Sequence, residues 1–526
     1  MSKTRAPEIT SLDPGQLQKL LVQLQQHLPA ALYESVAALL GTLQWLMGVI
    51  EKKNATVGRL QRLIFGAKTE KTRNVFPGKG VAAPTVPRKR RVRGHGRNGA
   101  SQYGGAGRVQ VPHPSLRPGD RCPECRSDKA RLRERPPSRI VRILAQPMVQ
   151  ATIFTLQVLR CGLCGKTFTA PAPPEAGTTK YDPNVGLMIG ILRFGGGMPH
   201  YRLEKLQKDL GIPLPAATQW ELMEQSARDL QPAHQELIRL AAQAQLFHND
   251  DTKMRIQSLK QERAQAGSER TGIFTTSILC QVEDRSIALY FTGGNHAGEN
   301  LTDLLQHRAA GLAKPIHMCD GLSRNLPKGF EALLANCLPH GRRAFVDVKE
   351  YFPQQCQKVL EDLALVFQHD AQAKEQQLSA TDRLRLHQEK SAPILEGLKQ
   401  WMEEQLEQKL VEPNSSLGEA INYMLKRWEP LTLFLREPGA PLSNNICERA
   451  LKAAILHRKN SLGYKTQNGA RVGDLFMSLI HTCRLAAANP FAYFRALHDH
   501  AKAVLKDPGA WLPWNYSQSI EALDSG

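Results

Sequence analysis

The sequence predicts a multidomain α+β protein, and three observations lead to this fold class. The chain has 526 residues, more than one hydrophobic core usually organises. Apolar residues recur every three or four positions near the N-terminus, but every second position from about residue 243. Two Cys-x-x-Cys pairs, at 122–125 and 161–164, indicate a small metal-stabilised module between these parts.

The N-terminal part, residues 1–70, carries leucines at helical spacing. Leu17, Leu21 and Leu24 follow one another in steps of three and four, and a similar series continues after Pro29. Such a stripe is typical of a coiled coil or of an amphipathic helix in a bundle. We therefore predict a helical or coiled-coil region that either self-associates into a homo-oligomer or packs within one chain.

The chain is strongly basic, with a formal net charge of +20. Eleven Lys or Arg and no Asp or Glu occur in residues 71–119, where Pro and Gly are also frequent. This composition predicts a flexible linker, either merely solvated or acting as an arm that neutralises phosphates. Nucleic acid is the first candidate partner, and an acidic membrane surface is the second. The candidate phosphate contacts in the arm are Arg88, Lys89, Arg90, Arg91, Arg93 and Arg97.

No targeting or membrane segment is evident. The first residues lack an apolar run, and the longest apolar stretch, residues 35–50, is too short to span a bilayer. We expect a cytoplasmic, nucleoid-associated protein with no membrane partner. Ten cysteines in that compartment do not indicate disulfides.

Residues 120–172 contain both Cys-x-x-Cys pairs, and the alternating segments 139–144 and 152–158 between them predict short strands. Each pair directs two thiolates at one point, so two pairs complete a tetrahedral zinc ribbon site for one structural Zn²⁺ ion. The alternative is two buried or redox-active cysteine pairs. The expected zinc ligands are Cys122, Cys125, Cys161 and Cys164.

Residues 173–242 predict helices again. Gly211 separates a helix that begins at His200 from one that follows Pro215. This order fits a helix-turn-helix in a DNA-binding region, and it fits any two packed helices equally well.

The C-terminal half alternates between strand-rich and helix-rich parts. Residues 243–348 predict three strands, a helix and a fourth strand, the first part of a mixed α/β domain. Residues 349–435 predict helices only, residues 436–505 two further amphipathic helices, and residues 506–526 a loose tail. The strands are expected at Leu246–Ile256, Ile273–Val282, Ser286–Phe291 and Lys314–Cys319, and the helices at Ala297–His307, Ile446–His457 and Ala470–Ala487.

Two aspartates occupy informative positions on the predicted strands. In Leu246–Ile256 the even positions are the more apolar, so alternation directs Asp250 to the interior and Asp251 to solvent. A buried carboxylate needs a partner, either a metal ion or hydrogen-bond donors. Asp320 ends a short apolar strand and precedes Gly321, which equally fits an Asp-Gly turn.

Glu448 opens a predicted helix. It also fits a capping box with Asn445, or an ordinary helix ion pair with Lys452. Asp250, Asp320 and Glu448 are more informative together than singly. Two divalent metal ions a few ångström apart need about that number of acidic ligands, and such a pair promotes phosphodiester chemistry.

Several segments match those of a known family. They are Leu60–Lys71, Gly94–Asn98, His248–Thr252, Asp320-Gly321, Cys337–Phe345, Asn444–Arg449 and Arg458–Leu462. With these segments the chain resembles the large TnpC transposases of the IS66 insertion-sequence family, which use an RNase H-like domain with a DDE triad. The most specific match is Asn444-Asn-Ile-Cys-Glu-Arg449, which resembles the segment holding the catalytic Glu.

The resemblance implies an RNase H-like catalytic domain interrupted by an all-helical insertion at 349–435. It implies that Asp250, Asp320 and Glu448 hold two Mg²⁺ (or Mn²⁺) ions and catalyse cleavage and strand transfer. The partners would be double-stranded DNA, as transposon ends and target, and accessory proteins of the same element. Candidate DNA contacts outside the arm are Arg342, Arg343, Arg449, Arg458 and Lys459.

The chain departs from the family pattern near the triad. Asp251 stands where Glu is usual, Leu322-Ser-Arg-Asn replaces aromatic residues, and Cys337-Leu-Pro-His340 replaces Cys-Trp-Ala-His.

Cys337 and His340 also suggest a second zinc site, for which His317 and Cys319 are the candidate additional ligands. We expect a structural role near the catalytic centre instead.

Two other functions stay open on the sequence. A non-catalytic zinc-containing DNA-binding regulator would explain the charge and the cysteines, but not the triad. An RNase H-like nuclease without strand transfer would explain the triad. Strand transfer assayed on cognate ends separates the three functions.

Overall fold

The computed structural model describes residues 14–42, 114–120, 123, 132–133, 148–160 and 167–525. These residues form two compact units. The first unit comprises the described residues within Met1–Ala83, Tyr181–Leu203 and Pro215–Gly526, and the second those within Pro84–Lys180 and Glu204–Leu214. None of the described helices combines the length and the apolar composition that a bilayer crossing requires.

Helices dominate the described residues. In chain order they are α1 (Pro14–His27), α2 (30–42), α3 (Asn184–Gly190), α4 (His200–Asp209), α5 (Ala216–Ala241), α6 (Gln257–Gln265), α7 (Ala297–Leu305), α8 (Leu338–Val348), α9 (Pro353–Glu375), α10 (Ala380–Lys390), α11 (Ala392–Glu407), α12 (Ser416–Lys426), α13 (Trp428–Leu431), α14 (Asn445–Ser461), α15 (Gln467–Leu485), α16 (Pro490–Asp499), α17 (Ala501–Lys506) and α18 (Tyr516–Asp524). The predicted helices of residues 173–242 and 349–435 are confirmed. The helical N-terminus is confirmed over α1 and α2, whereas its coiled coil stays a prediction.

The second unit contains a two-stranded antiparallel ladder, β1 (Val158–Arg160) with β2 (Thr167–Thr169). The predicted strand at 152–158 is therefore wrong except at its last residue. Alternation alone does not make a strand, because residues 151–157 have no neighbouring strand in the described chain to pair with. The four ribbon cysteines and the segment 139–144 lie outside the described residues.

The first unit is built around a mixed sheet of five strands in the order β5-β4-β3-β6-β7. Its central strand β3 pairs antiparallel with β4 and parallel with β6, while β5 and β7 form the two edges. The strands are β3 (Leu246–Lys253), β4 (Phe274–Val282), β5 (Arg285–Gly293), β6 (Ile316–Cys319) and β7 (Leu333–Asn336). The four strands expected from the sequence are confirmed. Strand β7 was missed, and so was helix α6, which buries no residue and therefore carries no apolar stripe.

Helices cover both faces of this sheet. On one face, the N-terminus of α7 reaches Asp251 of β3, and Asn300 of α7 donates to the Thr276 hydroxyl of β4 at 2.8 Å. On the other face, the Cys447 thiol of α14 donates to the carbonyl oxygen of Ser277. Since neighbouring residues of a strand point to opposite faces, the even positions of β3 face α14 and the odd positions face α7.

Helix α15 runs along the open edge of β5 and satisfies its backbone. The Thr292 N–H donates to Asp474 at 2.6 Å, the Tyr290 N–H to the Ser478 hydroxyl at 3.0 Å, and the Ala288 N–H to the Thr482 hydroxyl at 3.1 Å. These three side chains are spaced by four residues, so they lie on one face of the helix. An exposed sheet edge invites pairing with other chains, and α15 removes that edge.

Burial raises the pKa of Asp474 to about 7, although Thr292 donates two hydrogen bonds to it. A carboxyl with a raised folded-state pKa stabilises folding at low pH, and that contribution is lost as the pH rises from about 4 to about 7. We therefore expect Asp474→Asn to be more stable than the wild type at neutral pH, by up to about 4 kcal/mol, and similar near pH 4.

Thermal denaturation at several pH values measures this difference. Asp474→Ala is the matched control, because it also lacks the charge but leaves the Thr292 N–H unpaired, at a cost of about 1–3 kcal/mol. An Asp474→Asn protein less stable than the wild type at pH 8 would contradict the prediction.

The helical region between β7 and α14 has its own apolar core. Helix α9 contributes Val359, Leu363 and Val366, and α11 contributes Leu398 and Met402, all fully buried. This core continues into Met318 and Ala335 of the sheet, so the region packs on the β6–β7 side of the first unit.

The prediction of a loose C-terminal tail is wrong. Trp511 and Leu512 are buried, and the Tyr493 hydroxyl donates to the Trp511 carbonyl oxygen at 2.9 Å. Helix α18 follows. The tail sequence is short and mixed, and packing against α5 and α16 orders it.

Candidate active site

Asp250 lies on β3 near its C-terminal end, opposite Ser277 of β4. Its Oδ1 accepts a hydrogen bond from the Asp251 N–H at 2.8 Å. Burial, with a smaller contribution from the negative charges of Asp320, Asp251 and Glu448, raises the pKa of Asp250 to about 7. An even position of β3 thus carries a carboxylate toward α14, as the alternation predicted.

Asp320 directly follows β6, the parallel neighbour of β3. Gly321 has a φ of +80°, so the predicted Asp-Gly turn is present. The Oδ1 atom of Asp320 accepts from the Leu322 N–H at 3.1 Å and from the Asn325 Nδ2 at 2.6 Å. Because parallel neighbours end at the same edge of a sheet, the turn and the charge lie beside the end of β3.

Glu448 lies in the first turn of α14, with its side chain 33% exposed. The alternative role for Glu448, a capping box with Asn445, is absent. Helix α14 begins at Asn445 after the N-cap Asn444, and no side chain caps it. The Asn444 side chain instead bonds to β3, and Glu448 Oε1 lies 3.7 Å from His340 Nδ1.

Asp250, Asp320 and Glu448 come from three elements separated by up to about 200 residues of chain. The charges of Asp320 and Glu448 both act on Asp250, so each of these two carboxyl groups lies near Asp250. Carboxylates gathered in this way repel one another, and divalent cations with oxygen ligands relieve that repulsion. The arrangement therefore suits a hard-metal centre.

The expectation that Asp251 faces solvent is wrong. Its side chain is only 2% exposed, and its Oδ2 lies 2.8 Å from His296 Nδ1 at the start of α7. Arg324 lies 3.7 Å from the other oxygen. Alternation placed Asp251 on the opposite face from Asp250 correctly, but α7 covers that face.

A buried polar network lies beneath the carboxylates. The Asn444 Oδ1 accepts a hydrogen bond from the His248 Nδ1 at 3.0 Å, and the Asn444 Nδ2 donates to the Asn249 carbonyl oxygen at 2.9 Å. The Asn249 side chain contacts His317 on β6 at 2.9 Å and donates to the Asn325 carbonyl oxygen at 2.8 Å. The network joins β3 to the start of α14 and to the Asp320 loop, so it sets the relative positions of all three carboxylates.

Sequence reasoning missed Asn325 and Asn444 as site residues. Asn325 belongs to the segment Leu322-Ser-Arg-Asn that departs from the family pattern, and it is the residue that holds Asp320. The signal for Asn444 was the Asn-Asn dipeptide, which was interpreted as a helix cap.

Cys337 and His340 lie at the start of α8, beside Glu448. Among the described residues, Cys337, His340 and Glu448 form the one group of potential metal ligands. One donor atom from each of the three lies within 4.8 Å of the others. His340 Nδ1 is 3.7 Å from Glu448 Oε1. The extra ligands considered from the sequence do not join this group, because His317 bonds to Asn249 and Cys319 accepts from Asn336.

The candidate DNA contacts differ in exposure. Arg343, Arg449 and Lys459 are exposed, whereas Arg342 is only 7% exposed. Arg458 donates to the Lys253 carbonyl oxygen and to the Thr252 hydroxyl, which joins α14 to the end of β3. The six arm residues and the four ribbon cysteines lie outside the described residues.

Comparison with known proteins identifies the family. Residues 181–472, more than half of the chain, match the family described as Transposase IS66 family. Three similar proteins come from Sinorhizobium fredii (strain NBRC 101917 / NGR234), and each is described as uncharacterized. The protein y4hP is 27% identical over 394 residues, covering 69% of this chain and 67% of its own length. The protein y4jD is 26% identical, covering 62% and 65%, and y4qI is 30% identical, covering 35% and 34%.

The matched range runs from before α3 to within α15 and so contains the entire five-stranded sheet, Asp250, Asp320 and Glu448. The resemblance drawn from the short sequence motifs is thereby confirmed at the level of the family. This chain belongs to the IS66 family of transposases.

Proposed function

We propose that this protein is a DDE transposase that cleaves DNA at transposon ends and joins the freed 3′-hydroxyl to target DNA. The observation that carries the proposal is that the charges of Asp320, at the end of β6, and Glu448, on α14, both act on the buried Asp250 of β3. Membership of a transposase family supports the same chemistry.

The sheet supports assignment of residues 243–348 and 436–505 to an RNase H-like catalytic domain. Three antiparallel strands are followed by two parallel ones, and the proposed catalytic aspartates lie within the central strand and directly after its parallel neighbour. The helical region 349–435 would be an insertion before the helix that carries Glu448.

Two Mg²⁺ (or Mn²⁺) ions fit the proposed triad. The donors are hard carboxylate oxygens, and Asp250 is buried beside two further negative charges. When bound, such a pair activates the attacking hydroxyl and stabilises the leaving oxygen of a phosphodiester. Asp250, Asp320 and Glu448 would hold the ions.

The chain's own groups orient these carboxylates. The Asp251 N–H fixes one oxygen of Asp250, and the Asn325 amide fixes one oxygen of Asp320. Each carboxylate keeps its second oxygen for a ligand. The Glu448 side chain is 33% exposed and so is open to solvent.

The DNA surface would combine the basic arm with cations near the triad. A net charge of +20 favours a polyanion, and Arg343, Arg449 and Lys459 are exposed around the start and end of the two helices α8 and α14. We leave Arg342 out of this surface because it is buried, and Arg458 because its guanidinium holds β3.

The remaining regions complete the proposed architecture. Residues 120–172 would form the zinc ribbon with one structural Zn²⁺ ion, residues 173–242 the helical DNA-binding region, and residues 1–70 a region for homo-oligomerisation. Accessory proteins of the same element are further candidate partners.

A strand-transfer assay tests the proposed function. Purified protein, DNA carrying the ends of its element and Mg²⁺ should yield 3′-hydroxyl cleavage products and joined target DNA, neither of which forms with EDTA. Cleavage without joining would instead favour a nuclease, and binding with no cleavage in Mg²⁺ or Mn²⁺ would favour a regulator.

Magnesium affinity should depend on pH through Asp250. Because its pKa is about 7 in the metal-free protein, the carboxylate that binds a cation is the minor form below that pH. The Mg²⁺ concentration for half-maximal cleavage should therefore rise about tenfold for each pH unit below 7 and level off above it.

Cleavage measured across a Mg²⁺ series at pH 6, 7 and 8 provides the test. DNA affinity at the same pH values is the control, since the Arg and Lys side chains keep their charge throughout. A half-maximal concentration that does not change between pH 6 and 8 would contradict the prediction.

A further inference from the structure

We propose that Cys337, His340 and Glu448 form a site for a zinc-class divalent cation, and that its occupation inhibits the proposed cleavage reaction. The cation site stands on geometry alone. The inhibition rests on the proposed function, because it requires Glu448 to be a ligand of the Mg²⁺ pair.

The three residues converge because α8 and α14 begin side by side. The Leu338 N–H at the start of α8 donates to the Leu442 carbonyl oxygen at 3.0 Å, just before α14. The Asn444 N–H donates to the Cys337 sulfur at 3.2 Å. These two bonds hold the Cys337 sulfur at the start of the helix that carries Glu448.

His340 follows Cys337 by three residues, so both side chains lie on one face of the first turn of α8. Its Nδ1 atom is buried and has no hydrogen-bond partner among the described residues. A buried imidazole nitrogen without a hydrogen-bond partner is available to bind a metal ion. The His340 Nδ1 atom lies 3.7 Å from Glu448 Oε1.

The donor spacing is close to that of a zinc site. Zn–S distances of about 2.3 Å and Zn–N or Zn–O distances of about 2.0–2.2 Å place tetrahedral donors about 3.3–3.8 Å apart. The present donors lie within 4.8 Å of one another. Shifts of about 1 Å would close the site, and the side chains of His340 (26% exposed) and Glu448 (33% exposed) have room to make them.

The donor set selects the cation. Thiolate and imidazole ligands favour zinc-class ions over Mg²⁺, which prefers oxygen ligands and near-octahedral geometry. Three protein ligands leave a fourth position for water, as in many open zinc sites. Mg²⁺ at ordinary concentrations would therefore not occupy this site, and a scarcer, softer ion would bind there.

Occupation of the site would change the proposed active site through Glu448. A carboxylate drawn toward Cys337 and His340 turns away from Asp250 and Asp320. The Mg²⁺ pair would then lack its third acidic ligand, so zinc should act as an inhibitor rather than as a substitute metal.

Cobalt spectroscopy on the full-length protein tests the site without any activity measurement. Protein that keeps its tightly bound zinc is titrated with Co²⁺, and thiolate-to-cobalt charge transfer is followed in the near ultraviolet. Wild type should develop this band with one equivalent of Co²⁺. Cys337→Ala should lack it, and His340→Gln should need at least about tenfold more Co²⁺, as losses near metal ligands typically cost 10–100-fold.

Cys356→Ala is the matched control, because Cys356 is another buried thiol, on α9, outside the cluster. It should give the wild-type band. His340→Gln keeps the test valid if Cys337→Ala fails to fold, since His340 is part exposed. No band in wild type, or an equal band in Cys337→Ala or His340→Gln, overturns the site.

Zinc inhibition of Mg²⁺-dependent cleavage is the second arm. Each protein's activity in buffered free Zn²⁺ is divided by its own activity without added zinc. The half-inhibitory Zn²⁺ concentration should be at least about tenfold higher for His340→Gln than for wild type and Cys356→Ala. Equal values would overturn the inhibition.

The two arms separate the present inference from the proposed function. Cleavage in Mg²⁺ without a cobalt band would leave the transposase standing and refute the cation site. A cobalt band in a protein that never cleaves DNA would support the cation site and refute both the inhibition and the proposed function.

Discussion

Asp250→Asn, Asp320→Asn and Glu448→Gln should each lower Mg²⁺-dependent cleavage and strand transfer by about 10²–10³-fold, since losing one preorganised electrostatic group costs on that order. Each change keeps the shape of the side chain and removes the charge that would bind a cation. Asp250→Asn should also stabilise the metal-free protein, because it removes a carboxyl whose pKa burial raises to about 7.

DNA affinity should change little in the three variants, since it would depend on the basic surfaces. Gel-shift titration beside a strand-transfer assay measures both quantities. Asp251→Asn is the matched control: it is adjacent to Asp250 but faces α7 and pairs with His296. We expect it to lower the melting temperature and to affect the rate far less. Full activity in Glu448→Gln would remove that residue from the proposed site.

Asn444→Ala should reduce both stability and activity. The change leaves the Asn249 carbonyl oxygen and the His248 ring without their partner in a buried environment. An unsatisfied buried group costs about 1–3 kcal/mol, so we expect the free energy of unfolding to fall by about 2–4 kcal/mol. Activity should fall at temperatures where the variant is still folded, because the bond to β3 sets the distance of Glu448 from Asp250.

Asn445→Ala is the matched control, one residue further along the chain. Asn445 is exposed and is the first residue of α14. Its substitution should change the free energy of unfolding by no more than about 0.5 kcal/mol and leave the strand-transfer rate near that of the wild type. Denaturant unfolding and strand transfer, both measured on the two variants, separate the roles. Equal losses of stability and strand transfer in both variants would show that the contacts of Asn444 do not account for them.

The amino-acid sequence was sufficient for much of the local structure and for the family. Period-two alternation predicted strands β3, β4 and β5, and helical spacing predicted the helices of residues 173–242 and 349–435, because those patterns follow from the geometry of each element alone. Alternation also assigned Asp250 and Asp251 to opposite faces of β3. Short motifs around Asp320 and Glu448 were enough to indicate the family before any fold was considered.

Tertiary structure decided what covers each face and which residues meet. Helix α7 buries Asp251, which alternation alone had left to solvent. Packing against α5 and α16 orders the C-terminal segment. The bonds from Asn444 to His248 and Asn249 of β3 join residues 196 and 195 positions apart. The contact of His340 with Glu448 brings helices α8 and α14 together. A local pattern sets which way a side chain points. The partner that it meets depends on the topology of the whole chain, since sheet order and helix packing depend on the whole core.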